Sequence, residues 1–188
     1  KPASYDGQIL VPFPVESALS GVMKPVKPDQ RVWYQRSVEL PPGKQGQRWL
    51  IHFGAVDWET TVFVNGKKVG EHRGGFDPFT FDVTSALKKE GKQEIAVAVW
   101  DPTDQGNQPR GKQVLKPGGI MYTANTGIWQ TVWLEPVPEA RIDRLKIIPD
   151  VDNGEVKITA IVEGGNGGET IRVTALDNGK EVGAAEGK

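Results

Sequence analysis

The chain has 188 residues, of which 37% are hydrophobic and 25% charged, with 23 basic against 24 acidic side chains and a net charge of -1. That length suits one sandwich-sized domain and part of another. No apolar run reaches bilayer-spanning length and no Lys/Arg stripe offers a track for phosphates, so membrane and nucleic acid are set aside as partners. There is no cysteine, which removes disulfides, thiolate nucleophiles and Cys-based metal sites.

The chain opens at Lys1 without an apolar leader. It is expected to be a processed form or a piece of a larger protein, with a periplasmic or secreted bacterial setting. The first regular element is a strand in which Val32, Tyr34, Arg36, Val38 and Leu40 share one face, against Trp33, Gln35 and Ser37. Further strands rich in β-branched and aromatic residues are predicted at 49–53, 60–64, 79–81, 94–100 and 128–134. Asn65-Gly66 separates the 60–64 strand from Lys67-Lys-Val-Gly-Glu71, and both residues tolerate the positive φ of a type I′ turn, so a tight hairpin is predicted. Asp82-Val-Thr84 before Ser85-Ala-Leu-Lys-Lys predicts one capped helical turn, with Asp82 or Thr84 as the cap. No helix longer than two turns is expected.

All aromatic residues precede position 139, and Pro136-Val-Pro138 interrupts strand pairing, so a domain boundary is placed there. Beyond it, three strands are predicted, around 142–148, 156–162 and 170–176, separated by Asp152-Asn-Gly154 and Gly164-Gly-Asn-Gly-Gly168. An immunoglobulin-like sandwich needs about seven. This segment is therefore expected to be the start of a domain cut short.

The longest connection runs from Trp100-Asp-Pro-Thr-Asp-Gln105 to Thr126. Loops of this length within compact domains are usually functional or disordered. Asn107, Gln108, Arg110, Lys112, Gln113 and Tyr122 offer amides, cations and an aromatic ring suited to hydroxyl groups and a sugar face. Asp101 and Asp104 read first as turn caps. No convincing pair of carboxyl groups stands out for acid–base work, so no catalytic residue is assigned. His52 and His72 are assigned no role, and the glycine-rich stretches lack the context of a phosphate loop. Neither a cofactor nor a metal is expected. Most of the six tryptophans are expected in the core, with Trp58 the one expected to be exposed.

Val11-Pro-Phe-Pro-Val-Glu-Ser17, Trp33-Tyr-Gln-Arg36, Val64-Asn-Gly-Lys-Lys-Val-Gly70, Gly74-Gly-Phe-Asp-Pro-Phe79, Phe81-Asp-Val-Thr84, Val99-Trp-Asp-Pro-Thr103 and Asn125-Thr-Gly-Ile-Trp-Gln130 occur in order. Together they resemble the N-terminal sugar-binding domain of glycoside hydrolase family 2, over about residues 9 to 136. The resemblance implies an all-β chain: a jelly-roll, galactose-binding-domain-like sandwich at 1–136, followed by a partial immunoglobulin-like sandwich at 139–188. It also implies that the two catalytic glutamates lie on a (β/α)8 barrel outside this chain. The loop after Val-Trp-Asp would reach the active-site mouth, where an aspartate from this domain can contact the sugar. Asp101 and Asp104 both remain open for that role. Many relatives resembling this chain carry Trp where it has Met121. Arg110 and Lys112 are as well suited to contacts with the remaining domains as to sugar.

The implied function is that of a non-catalytic portion of an enzyme hydrolysing O-glycosyl bonds, scaffolding the barrel and contributing to the rim of a β-glycoside pocket. The alternatives are an autonomous carbohydrate-binding module and an adhesion-type sandwich without sugar contact.

Overall fold

Alternation of side chains along each strand decides which residues meet in the core. The computed structural model describes residues 1–42 and 46–188, and the chain divides into two compact units between Pro136 and Val137. Up to that division the strands are β1 (Val32–Val38), β2 (Gln47–Phe53), β3 (Val56–Asp57), β4 (Glu59–Val64), β5 (Lys67–Arg73), β6 (Phe79–Asp82), β7 (Gln93–Trp100), β8 (Gln113–Val114), β9 (Tyr122–Thr123), β10 (Gly127–Ile128) and β11 (Val132–Pro138), the last crossing it. Among the described residues the only helical segments are two 3-10 turns, Ala18–Ser20 and Thr84–Ala86.

One antiparallel sheet has the order β1-β7-β4-β5 and a second the order β11-β2-β6. Tyr34, Val62, Val64, Val97 and Val99 of the first join Trp49, Ile51 and Phe53 of the second in a single core, with Phe79, Phe81, Val132 and Leu134 packed against it. Ile51 and Phe53 are wholly buried, and each contributes roughly 1.5–3 kcal/mol by leaving water. On the opposite side of the first sheet, Ala96 and Ala98 of the central strand are also buried. Across from them stand Phe63 and Trp33, whose rings stack at 5.9 Å. Small residues on a central strand leave room for two large rings from its neighbours to close over them.

The tryptophans correct one sequence expectation. Only Trp49 is buried in the core; Trp33, Trp58, Trp100 and Trp129 are half-buried. The exposed one is Trp133 on β11, not Trp58. Period-2 alternation gives a strand two faces without saying which is inside, and Trp33, Trp100 and Trp133 take the outer one, while Trp58 and Trp129 lie between strands.

The Asn65-Gly66 hairpin forms as predicted, with φ of 51° and 80°. Asn65 does more than turn. Its Nδ2 donates to Ala86 O (2.9 Å) and Gln93 Oε1 (2.7 Å), and its Oδ1 accepts Glu94 N–H (2.9 Å). Asp82, one of the two caps open from sequence, accepts the Thr84 N–H at 2.9 Å.

The second unit holds β12 (Arg141–Asp150), β13 (Glu155–Glu163), β14 (Ile171–Asp177) and β15 (Lys180–Gly187), paired as two antiparallel hairpins. The expected count of three was one short. Apart from Val182, strand β15 is built from glycine, alanine and charged residues and carries little β propensity. The signal that could have found it is Asn178-Gly179, a second positive-φ pair at 48° and 79°. No described residue from Pro138 onward is buried.

Gly70 lies where the two sheets of the first unit come together, and a Cβ there would sit 2.3 Å from the Phe81 ring. A rigid aromatic in a packed core cannot yield by that much. Gly70→Ala is expected to destabilise the chain by about 1–3 kcal/mol, seen as a lower denaturation midpoint with unchanged m value, while Gly7→Ala, with nothing within 4 Å, leaves it unchanged.

Candidate functional site

The long loop leaves β7 at Asp101 and rejoins the sandwich at Thr126. Its two ends are fastened by side chains in a buried setting. Asp101 is 2% exposed; it accepts Thr103 N–H at 2.8 Å and the Thr126 hydroxyl at 3.2 Å. Thr126, wholly buried, also donates its N–H to Glu16 Oε2 at 3.0 Å, and its carbonyl accepts Val15 N–H at 3.3 Å. A single threonine thus ties the end of the loop to its beginning and to the N-terminal segment. Closing a long loop costs entropy, and fixed end-to-end bonds offset that cost in the folded state.

Within the loop the polar groups mostly serve one another. Arg110 Nη1 donates to Asp104 O at 2.7 Å, Asp104 Oδ2 accepts Leu115 N–H at 3.3 Å, and Gln108 Nε2 donates to Thr103 O at 2.9 Å. Strands β8 and β9 pair in parallel, Gln113 with Tyr122 and Val114 with Thr123.

Beneath the loop lies a third carboxyl group. Asp57, on β3, is 3% exposed. Burial, with the charges of Asp101 and Glu16 adding to it, pushes Asp57 up to about 7, against a lowering hydrogen bond with Gln113. Burial also raises Asp101 and Glu16, each opposed by bonds to Thr126, and Glu16 Oε1 is buried without a partner. Desolvation likewise raises the Tyr34 phenol, whose oxygen accepts Ile128 N–H at 3.3 Å. Gly75 backs onto Asp57, where a Cβ would stand 2.5 Å from Oδ1.

The six sequence-predicted residues therefore separate. Asp101 is sealed inside, Asp104 and Arg110 organise the loop, and Gln113 reaches down to Asp57. Lys112 and Tyr122 face solvent, Tyr122 at 65% exposure. On the neighbouring β5–β6 turn Phe76 is exposed and meets Trp129 edge-on at 6.1 Å, and Trp129 Nε1 donates to Gly75 O at 2.8 Å. The arrangement offers an aromatic and cationic rim above a buried acidic floor. Asp57 and Asp101 are enclosed, so no sugar reaches between them, and they lack the access that a nucleophile and acid require. No group of three His, Asp or Glu side chains among the described residues could hold a metal.

Sequence reasoning missed Asp57 and Glu16. The signal for Asp57 was a charged residue ending the apolar run Ala55-Val56. Glu16 carried no such mark.

The family model for the sugar-binding domain of glycosyl hydrolases family 2 matches residues 5–135. A putative β-glucuronidase of Formosa agariphila is 31% identical over 131 residues, covering 69% of this chain and 15% of that protein. A β-galactosidase of Thermoanaerobacter pseudethanolicus is 31% identical over 136 residues, covering 70% and 18%. The solved Faecalibacterium prausnitzii β-glucuronidase superposes with a TM-score of 0.73 at 29% identity, over 99% of this chain and 35% of that one. The chain thus spans well under half the length of these relatives.

Asp57 holds its proton more tightly in the folded chain than at its ordinary value of 3.8. Folding gains most from it below that value, and the gain is lost as pH rises to about 7. Asp101 and Glu16 act in the same direction. The melting temperature is expected to fall between about pH 4 and pH 7, and Asp57→Asn to flatten that slope in part. A wild-type melting temperature that rises over this interval would contradict the assignment.

Proposed function

The chain belongs to glycoside hydrolase family 2, and from that membership we propose that it serves a longer enzyme hydrolysing β-linked O-glycosides, with β-glucuronides and β-galactosides as the substrate classes. In this reading the first unit scaffolds a catalytic domain carried elsewhere in the protein. The loop between Asp101 and Thr126 supplies part of the sugar-pocket rim. The observation that carries the reading is the match of the family's sugar-binding domain across residues 5–135, together with a loop whose internal bonds leave Tyr122 and Lys112 facing outward.

The roles follow from the chemistry. Tyr122 presents a ring that can stack on the C–H face of a pyranose. Lys112 presents a cation to hydroxyl oxygens or, in a glucuronide, to the carboxylate. Asp101, Asp104, Arg110 and Gln113 are positioning residues that set the loop's shape.

The 188-residue chain incubated with p-nitrophenyl β-D-glucuronide or β-D-galactoside is expected to release no nitrophenolate above the uncatalysed rate. In the longer enzyme, Tyr122→Ala and Lys112→Ala are each expected to raise KM by roughly 3–10-fold, about 1 kcal/mol of uniform binding, with kcat little changed. Turnover by the isolated chain, or a fall in kcat alone in both variants, would remove the rim assignment.

A further inference from the structure

Trp133 stands on the outer face of the β11-β2-β6 sheet, beside His52 rather than in the loop. It is 44% exposed and sits on β11, at the edge of that sheet. Its inner neighbour is His52 of β2, whose ring lies parallel to the indole at 12° and 4.7 Å. His52 is itself pinned, with Nδ1 2.8 Å from Thr80 Oγ1 on β6 and Nε2 3.0 Å from Glu135 Oε2 on β11. The Nε2 contact is close but poorly aligned for a hydrogen bond, so it is an ion-pair contact when His52 is protonated. One face of the indole is covered by a fixed ring and the other is open.

The charges on this face are mutually arranged. Arg48 Nε meets Asp82 Oδ2 at 2.5 Å, and Glu135 stands beside His52. Glu135 is half-exposed, and its negative charge disfavours an anionic ligand while its oxygens can accept bonds from neutral hydroxyl groups. What remains is a flat apolar surface already held in place, bordered by a carboxylate and a hydroxyl able to bond neutral OH groups. Such a surface loses little rotamer entropy on binding.

We propose that Trp133, backed by His52 and flanked by Glu135, is a second carbohydrate-binding platform that takes a neutral pyranose of a β-linked oligosaccharide on its open indole face. It is distinct from the loop-end rim and stands or falls without it.

The test is a titration of the 188-residue chain, 15N-labelled, with tetrasaccharides of β-1,4-linked glucose, xylose, mannose and galactose, followed at the tryptophan indole N–H signals. The expected result is a saturable shift of the Trp133 indole with at least one of them. Trp133→Ala should weaken that association by about tenfold, Trp133→Tyr should retain part of it, and Tyr122→Ala should leave it unchanged. A shift confined to Trp129 or lost in Tyr122→Ala would place the sugar at the loop end instead. No shift of Trp133 with any of the four sugars, or association unchanged in Trp133→Ala, would overturn the platform.

Discussion

Three carboxyl groups withdrawn from water govern the loop end of this molecule. A buried carboxylate is tolerated only where bonds replace its hydration or where it keeps its proton. Asp101 uses the first solution, with Thr103 and Thr126 as donors. Asp57 uses the second, held up to about 7 by burial beside Asp101 and Glu16. Because Thr126 serves both Asp101 and Glu16, the loop cannot shift at one end without exposing or orphaning a carboxylate at the other. The rim that carries Lys112 and Tyr122 inherits its position from this floor.

The same economy of small residues recurs where large groups meet. Gly75 gives Asp57 its space, Gly70 makes room for Phe81, and a Cβ on Gly127, at φ of 94°, would fall 2.0 Å from the Tyr34 hydroxyl. Each glycine sits at a close approach rather than in a plain turn, and two of the three contacts involve the acidic cluster or the tyrosine beside it. Tryptophans, by contrast, lie largely outside the core. Trp33 roofs the alanines of β7 with Phe63, Trp129 braces Phe76, and Trp133 stands over His52. The first sandwich therefore keeps Tyr34, Trp49 and Phe53 inside an otherwise largely aliphatic core and sets its other tryptophans nearer the surface.

Much of the fold was legible in the sequence because it is written in local terms. Alternation marked the strands from Val32 to Leu134, and Asn65-Gly66 marked its hairpin. What escaped depends on which face a strand turns inward and on partners far along the chain. Trp133 and Trp49 look alike in sequence, yet one is exposed and the other is core. Strand β15 escaped because Lys180-Glu-Val-Gly-Ala-Ala-Glu-Gly187 has a single β-branched residue. At the site, the loop was recognisable by length and polarity, and Lys112 and Tyr122 do face solvent. The bond between Thr126 and Asp101, and that between Thr126 and Glu16, span 25 and 110 residues. No spacing rule reaches that far, so Asp57 and Glu16 could not be joined to Asp101 before the chain was seen folded.

The account rests on Thr126 as the fastening between the loop and the sandwich. Thr126→Val keeps the shape of the side chain while removing the hydroxyl that Asp101 accepts. Hydrogen exchange measured peptide by peptide should then show protection lost across 103–123 and kept in β4 and β7. Unchanged protection of that loop in the valine variant would mean that its position is set by something other than the buried carboxyl floor.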